Sequence, residues 1–459
     1  MNKKVFFYNN FRTKRFGSRI LAVSEQGGWA DFSKKEFDSL IRGNTTKKIM
    51  DSGLAIDKKN INGVIEKQRQ RYCHLFNGTS LHIVVPTLRC NLSCSYCHSK
   101  AKSEKAKNYD MDKKTAKKAV DFIFQSLSAH IKIEFQGGEP LLNFGIIKEI
   151  IEYAKKVNKN KDLKFALVTN LTKIDDKKLK YLIKNKVGIC TSLDGPKHLH
   201  DKIRVDHNQG GSYKNVVSWI ETIKDEYKYP IDALMVTTRH SLQCPREIVD
   251  EYIKHGFNRI QFKSMNNLGN AQKAWGSLSY SAEEYLTFWK QAIEYMVELN
   301  LKGEDIYDAY TTYILKKILT NDPNIFVDLQ SPCGAAISQL AYDYNGDIFT
   351  CDEGRQYDLF KLGNVRNNDY REILTSNETA SIISASTNDC FLCDACVYKP
   401  YCGLCPVCCY AETGSVVPKL SMDNRCKILK GIFDYIFEKL IFSDKHKKVF
   451  TKWANIKSD

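Results

Sequence analysis

Six strand-then-helix units between Leu81 and Met265 predict an α/β protein whose centre is a partial, TIM-like (β/α)6 barrel with parallel strands. Two further observations complete the prediction. Residues 1–78 read as short strands followed by short helices, and ten of the sixteen cysteines crowd between Cys333 and Cys426, where regular periodicity fades. The expected organisation is a small N-terminal unit (1–78), the barrel (79–322), a cysteine-rich domain (323–435), and a C-terminal helix and tail (436–459).

In the first unit, "KVFFYNNF", "SRILAVSEQ" and "WADFS" read as strands, with Gly27-Gly28 as a turn. Ser33 is placed to cap a helix through "KKEFDSLIRG", and "TTKKIMDSG" and "INGVIEKQRQRYCHLF" are further helical stretches. Strands followed by three helices suggest a winged-helix-like unit. Such a unit either binds an extended peptide as an added strand or simply packs.

The barrel strands are "LHIVVPT", "IKIEFQG", "KFALVTN", "GICTSLDG", "IDALMVTT" and "RIQFKSM". The helices between them are "KKTAKKAVDFIFQSL", "IIKEIIEYAKKV", "DKKLKYLIKN", "NVVSWIETIK" and "REIVDEYIKH". Barrels of this kind carry their chemistry at the C-terminal strand ends. Polar residues stand at those ends here: Thr87, Gly137-Gly138-Glu139, Thr169-Asn170, Ser192, Asp194 and Thr237-Thr238. Beyond about residue 325, cysteines, glycines and aromatics suggest a domain held by metal rather than by a large core. The amphipathic stretch "ILKGIFDYIFEKLIF" predicts a final helix.

At 43% hydrophobic and 27% charged residues, the composition is that of a soluble globular protein. No run approaches the roughly 18 apolar residues of a membrane span, and "MNKKVFFYNNFRTKRFG" has no apolar signal region. A cytoplasmic protein is the expectation. The formal charge of +16 is Lys-rich and dispersed, which reads as solvated helix faces. Without an RNP-type motif or C2H2 spacing, a nucleic-acid partner is not expected.

Disulfides are disfavoured in the cytoplasm, so sixteen cysteines point to metal or redox chemistry. Cys73, Cys190 and Cys244 stand apart and are expected to be small buried hydrophobes. "LRCNLSCSYC" holds Cys90, Cys94 and Cys97 at C-x3-C-x2-C after the first barrel strand. Thiolates suit iron–sulfur clusters or zinc. Three of them on one loop can hold three irons of a four-iron cluster and leave the fourth iron open to a small molecule.

This motif resembles the signature of radical S-adenosylmethionine enzymes, with Tyr96 at the aromatic position. The resemblance implies that S-adenosylmethionine binds the open iron and is cleaved to a 5′-deoxyadenosyl radical, which takes a hydrogen atom from the substrate. "FQGGEPLL" places Gly137, Gly138 and Glu139 where the family's motif meets the amino group of the cofactor. Asn170 in "VTN", and Ser192 and Arg204 in "TSLDGPKHLHDKIR", resemble the family's remaining cofactor-binding positions, with Ser192 and Arg204 on its carboxylate.

The late cysteines resemble the SPASM extension of radical enzymes that modify peptides: Gly346-x4-Cys351, then Cys393-x2-Cys396-x5-Cys402. The resemblance assigns Cys393, Cys396, Cys402 and Cys426 to one auxiliary [4Fe-4S] cluster and Cys333, Cys351 and Cys405 to another, three clusters in all. The step from Cys402 to Cys405 departs from the family's spacing, so the fourth ligand is Cys408 or Cys409, or a substrate; Cys390 has no assigned role. Four-cysteine zinc sites are the alternative.

"SLHIVVPTLRCNLSCSYC" and "DLQSPCGAAISQLAYDYNGDIFTCDEGR" are similar to peptide maturases of His-Xaa-Ser-type systems, although the cysteine-rich C-terminus departs from that group. The function implied is cross-link formation in a ribosomally made precursor peptide, with a thioether favoured and a carbon–carbon or carbon–oxygen bond next. The leader peptide would bind residues 1–78, and a flavodoxin- or ferredoxin-type donor would supply electrons. Formylglycine formation, as in sulfatase maturation, is the alternative within enzymes. A zinc-stabilised, non-catalytic peptide-binding protein is the alternative outside them.

Overall fold

The computed structural model describes residues 6–207, 210–320, 326–419 and 423–456. The expected boundary at 322/323, the first residues of "KVFFYNNF" and the last of the tail lie outside them. The N-terminal unit is an antiparallel sheet of β1 (Phe11–Phe16), β2 (Arg19–Ser24) and β3 (Trp29–Ser33). The expected single strand over "KVFFYNNF" is instead a short Phe7–Tyr8 segment paired with Ala55–Ile56, followed by β1. β1 escaped the sequence reading because its Arg and Lys side chains suggest solvent. Tertiary partners absorb those charges: Arg12 pairs with Glu25 at 2.6 Å, and Lys14 with Asp434.

Ser33 does cap the helix Lys34–Ile41. Its Oγ accepts from the Glu36 amide at 3.3 Å, and Glu36 accepts in return from the Ser33 amide at 2.6 Å. One face of the unit has its own core around Phe32, Leu40, Ile49 and Leu54. The opposite face of β2, with Leu21 and Val23, belongs to the main core. Trp29 packs edge-on against Phe437 and donates to the Ile318 carbonyl at 3.1 Å.

The barrel strands are β4 (Leu81–Thr87), β5 (His130–Gly137), β6 (Asp162–Val168), β7 (Val187–Ser192), β8 (Ile231–Thr237) and β9 (Phe262–Ser264). Each pairs in parallel with its sequence neighbour, as the alternating pattern predicts. "RIQFKSM" is broken, however. Arg259–Ile260 pairs with Tyr307–Asp308, while the Asp308 carboxylate accepts from the Phe262 amide at 3.2 Å and starts β9 separately.

The barrel is open, and its β4 edge is occupied. β10 (Gln339–Tyr342) pairs in parallel with β4, and β11 (Asp347–Phe349) and β12 (Lys361–Asn364) continue antiparallel. One nine-stranded sheet results, in the order β9-β8-β7-β6-β5-β4-β10-β11-β12. The cysteine-rich region thus begins as an extension of the barrel sheet. Gly346 makes the β10–β11 turn at φ +87°, a conformation costly for other residues.

Two helices close the described chain, Asn424–Phe442 and Asp444–Ala454. The second was expected only as a tail. Its lysines face solvent while Val449, Phe450 and Trp453 are buried, and His446 meets Glu294 at 2.9 Å. No helix is long and apolar enough to cross a membrane among the described residues. Because Trp453 is fully buried, Trp453→Ala is expected to cost about 3–5 kcal/mol of stability, read as a lower urea midpoint for the metal-loaded protein.

Candidate functional site

The three-cysteine loop is rooted at the end of β4 by a charge pair that sequence reading missed. Arg89 reaches both oxygens of Asp110, Nε to Oδ1 at 2.7 Å and Nη2 to Oδ2 at 2.8 Å, and also donates to the Glu104 and Leu142 carbonyls. Thr87 adds a bond to Asp110 at 2.6 Å. A bidentate guanidinium fixes orientation as well as distance, so Cys90 leaves the strand in a set direction.

Donors surround the three sulfurs. The Leu92 amide and Asn170 Nδ2 face Cys90 Sγ at 3.4 and 3.8 Å; Arg204 Nη1 faces Cys94 Sγ at 3.8 Å; the Ser99 amide faces Cys97 Sγ at 3.4 Å. Burial still pushes the Cys90 thiol well up, and Cys94 up to about 12 despite Arg204. Such thiols ionise only when a cation joins them. Three sulfurs on one loop, each met by a protein donor, form a donor set suited to a metal centre.

Glycines at the end of β5 let this loop pack against the next. A Cβ on Gly138 would lie 2.2 Å from the Arg89 carbonyl oxygen and 2.5 Å from that of Leu88, and Gly137 has φ +134°. The following amides close the contact, Gly138 to the Thr87 carbonyl at 3.0 Å and Glu139 to that of Arg89 at 2.7 Å. Glu139 is fully buried. Burial raises its pKa, while three protein donors work the other way: the Leu141 amide at 3.0 Å, Thr169 Oγ1 at 2.8 Å and the Asn170 amide at 2.8 Å. Both carboxylate oxygens are thus engaged within the protein, and through them β5 fixes Asn170 at the end of β6.

Asp194 is the hub of the next strand end. It accepts from Tyr96 Oη at 2.7 Å, from Arg204 Nε at 2.7 Å and from the Val236 amide at 3.1 Å. Arg204 lies over the Tyr96 ring at 5.2 Å and donates to its hydroxyl. Sequence reading marked Asp194 only as polar; its burial between an arginine and a tyrosine becomes visible in three dimensions. Ser192 ends β7 nearby, and its side chain makes no hydrogen bond among the described residues.

The late cysteines gather into two groups. Cys333, Cys351, Cys405 and Cys408 form the first: the thiols of Cys333 and Cys351 are raised by burial and by neighbouring sulfurs, and the hydrogen bond between Cys405 and Cys408 lowers the first and raises the second. Backbone amides of Ala335, Gly354 and Cys408 point at Cys333, Cys351 and Cys405 at 3.5, 3.3 and 3.5 Å. Cys409 turns away to Asp423 at 3.9 Å. Of the two candidates for the fourth position, geometry favours Cys408. The second group is Cys393, Cys396, Cys402 and Cys426, with Cys390 against Cys393.

Among the described residues no three cysteine sulfurs lie within 4.8 Å of one another. The cluster loops are also joined: His98, beside Cys97, bonds Asp352, beside Cys351, at 2.7 Å, and Arg355 braces Asp352 at 2.7 Å.

A partial barrel with grouped cysteines at its C-terminal strand ends and in an appended domain has the donor set of an iron–sulfur enzyme. Residues 84–252 match the radical SAM superfamily, and residues 333–408 match SPASM, described as an iron–sulfur cluster-binding domain. The chain is 26% identical over 374 residues to a cysteine-type anaerobic sulfatase-maturating enzyme of Clostridium novyi, covering 80% of this chain and 97% of that protein. In fold it is similar to native anSMEcpe with bound AdoMet, with a TM-score of 0.70 at 23% identity over 81% of this chain and 99% of that one. It is also similar to Streptococcus suis SuiB bound to precursor peptide SuiA, with a TM-score of 0.57 at 13% identity over 90% and 98%. The chain belongs to the radical SAM superfamily and carries a SPASM domain. It is a radical S-adenosylmethionine enzyme with iron–sulfur clusters.

Two outcomes test the geometry. Gly138→Ala must displace the Arg89 carbonyl, and S-adenosylmethionine binding is expected to weaken by roughly tenfold or more, about 1.4 kcal/mol, by isothermal titration. Cys408→Ala is expected to lower iron content and alter the electron paramagnetic resonance of one auxiliary cluster, while Cys409→Ala leaves both at wild-type values.

Proposed function

We propose that this enzyme cross-links a ribosomally made precursor peptide, with a thioether the favoured product and a carbon–carbon or carbon–oxygen bond next. The observation that carries the proposal is the N-terminal unit. It is a small sheet with its own core, docked through Trp29 and Lys14 onto the C-terminal helix Asn424–Phe442. A unit placed so can hold a leader peptide while the barrel acts on the core peptide. The precursor-bound SuiB fold spans 90% of this chain, against 81% for the anSMEcpe fold, which supports the same reading.

In this reading Cys90, Cys94 and Cys97 hold the catalytic [4Fe-4S] cluster. Cys333, Cys351, Cys405 and Cys408 hold one auxiliary cluster, and Cys393, Cys396, Cys402 and Cys426 the other. When bound, cluster and S-adenosylmethionine supply the radical that removes a hydrogen atom from a peptide carbon. Tyr96, Gly137, Gly138, Asn170, Ser192 and Arg204 line the cofactor position. Glu139 joins them at the amino group of the cofactor, its carboxylate oriented by Leu141, Thr169 and Asn170. Asp194 holds Arg204 and Tyr96 beside each other. A flavodoxin- or ferredoxin-type protein is the proposed electron donor.

Formylglycine formation is the second reading, favoured by the match to 97% of the Clostridium novyi maturase. One experiment separates the two. Reduced, anaerobically reconstituted enzyme is incubated with S-adenosylmethionine and a cysteine-containing peptide encoded beside the gene, and in parallel with a sulfatase peptide. The expected result is 5′-deoxyadenosine and loss of two hydrogen atoms from the encoded peptide, both absent in Cys94→Ala. An aldehyde captured by hydrazide on the sulfatase peptide, with the encoded peptide unchanged, would establish the second reading instead.

A further inference from the structure

Cys244 was expected to be a buried hydrophobe, yet it is only half-buried and does not stand alone. Its sulfur, a ring nitrogen of His198 and a carboxylate oxygen of Glu247 all lie within 4.8 Å of one another. None of the three belongs to the cluster-binding or cofactor-lining residues. Cys244 is the N-cap of the helix Pro245–Lys254 but makes no side-chain cap bond, so its sulfur is not used in capping. Glu247 is the third residue of that helix, and His198 the second of the helix Lys197–Ile203.

The side chains of His198 and Glu247 are exposed, while the core anchors the backbone that carries them. Ile248 and Val249, next to Glu247, and Leu199, next to His198, are buried. The Gly195 turn brings the two helices together so closely that a Cβ there would lie 2.9 Å from Ile248. The Cys244 backbone is fixed at both groups, its amide on the Ser241 carbonyl at 3.0 Å and its carbonyl receiving the Ile248 amide at 3.1 Å. Burial and the neighbouring Glu247 carboxylate both resist ionisation of the thiol. A cation among the three would relieve that opposition.

The geometry points to a divalent zinc site formed by His198, Cys244 and Glu247, separate from the iron–sulfur clusters. The donor set is one imidazole nitrogen, one sulfur and one carboxylate oxygen. That borderline mixture suits Zn²⁺ and is unsuited to Mg²⁺ or Ca²⁺, which take oxygen ligands. Three protein ligands leave a fourth position for water. The site ties together two helices that follow successive barrel strands, β7 and β8. The first of them runs directly into Arg204, so an occupied site stiffens the segment on which Arg204 is carried.

The test uses the reconstituted holoenzyme, in which the cluster thiols are already engaged, titrated anaerobically with zinc sulfate. The expected result is one zinc per chain beyond the iron, with X-ray absorption showing a single sulfur among nitrogen and oxygen neighbours. Zinc should also raise the thermal midpoint. His198→Ala and Cys244→Ser should weaken uptake at least tenfold and remove the midpoint shift, with iron content unchanged. Glu247→Gln, an exposed substitution, provides a third variant should either of the others fold poorly. Equal uptake by wild type and the variants, or zinc surrounded mainly by sulfur, would overturn the assignment.

Discussion

Negative charge on buried sulfur is the constraint around which this molecule is organised. The thiols of Cys90, Cys94, Cys333, Cys351 and Cys402 are all pushed up by burial, and their neighbours in each group push them further. Several thiolates in so small a volume are tolerable only with bound cations. The protein contributes what it can from its own atoms: amide hydrogens of Leu92, Ser99, Ala335, Gly354 and Cys408, and the guanidinium groups of Arg204 and Arg425. These donors do not ionise the sulfurs unaided. They set the position and electron demand of each sulfur, the lever by which hydrogen bonds tune iron–sulfur centres.

The second organising feature is continuity between domains. Because β10 adds to the free edge of β4, the strand that delivers Cys90 is hydrogen-bonded on one side to the barrel and on the other to the cysteine-rich domain. The His98–Asp352–Arg355 chain repeats that link at the level of the loops, joining the neighbour of Cys97 to the neighbour of Cys351. The two cluster loops are therefore joined through one sheet and one hydrogen-bonded chain of side chains. This explains how a domain with little regular periodicity is held in a defined place beside the barrel mouth.

The N-terminal unit is joined to the rest in the same way. The N-terminal sheet shares the main core through Leu21 and Val23, and its Lys14 meets Asp434 on a C-terminal helix.

The sequence alone determined the parallel order of the barrel, the C-x3-C-x2-C loop, the glycines at the end of β5 and the cysteine content of the C-terminal region. All of these rest on local periodicity or on spacing within a few residues. Tertiary structure decided what depends on pairing across long separations. β10 on the edge of β4, the Arg89–Asp110 root, Asp194 as the partner of Arg204 and Tyr96, and Glu139 facing inward to Asn170 left no periodic trace. The charged strand Phe11–Phe16 and the lysine-rich final helix were hidden for the opposite reason: their local composition favours solvent, and distant partners outweigh it. The choice of Cys408 over Cys409 is the smallest case. The two are adjacent in the chain, and the helical turn sets the Cys408 sulfur against Cys405 and the Cys409 sulfur toward Asp423.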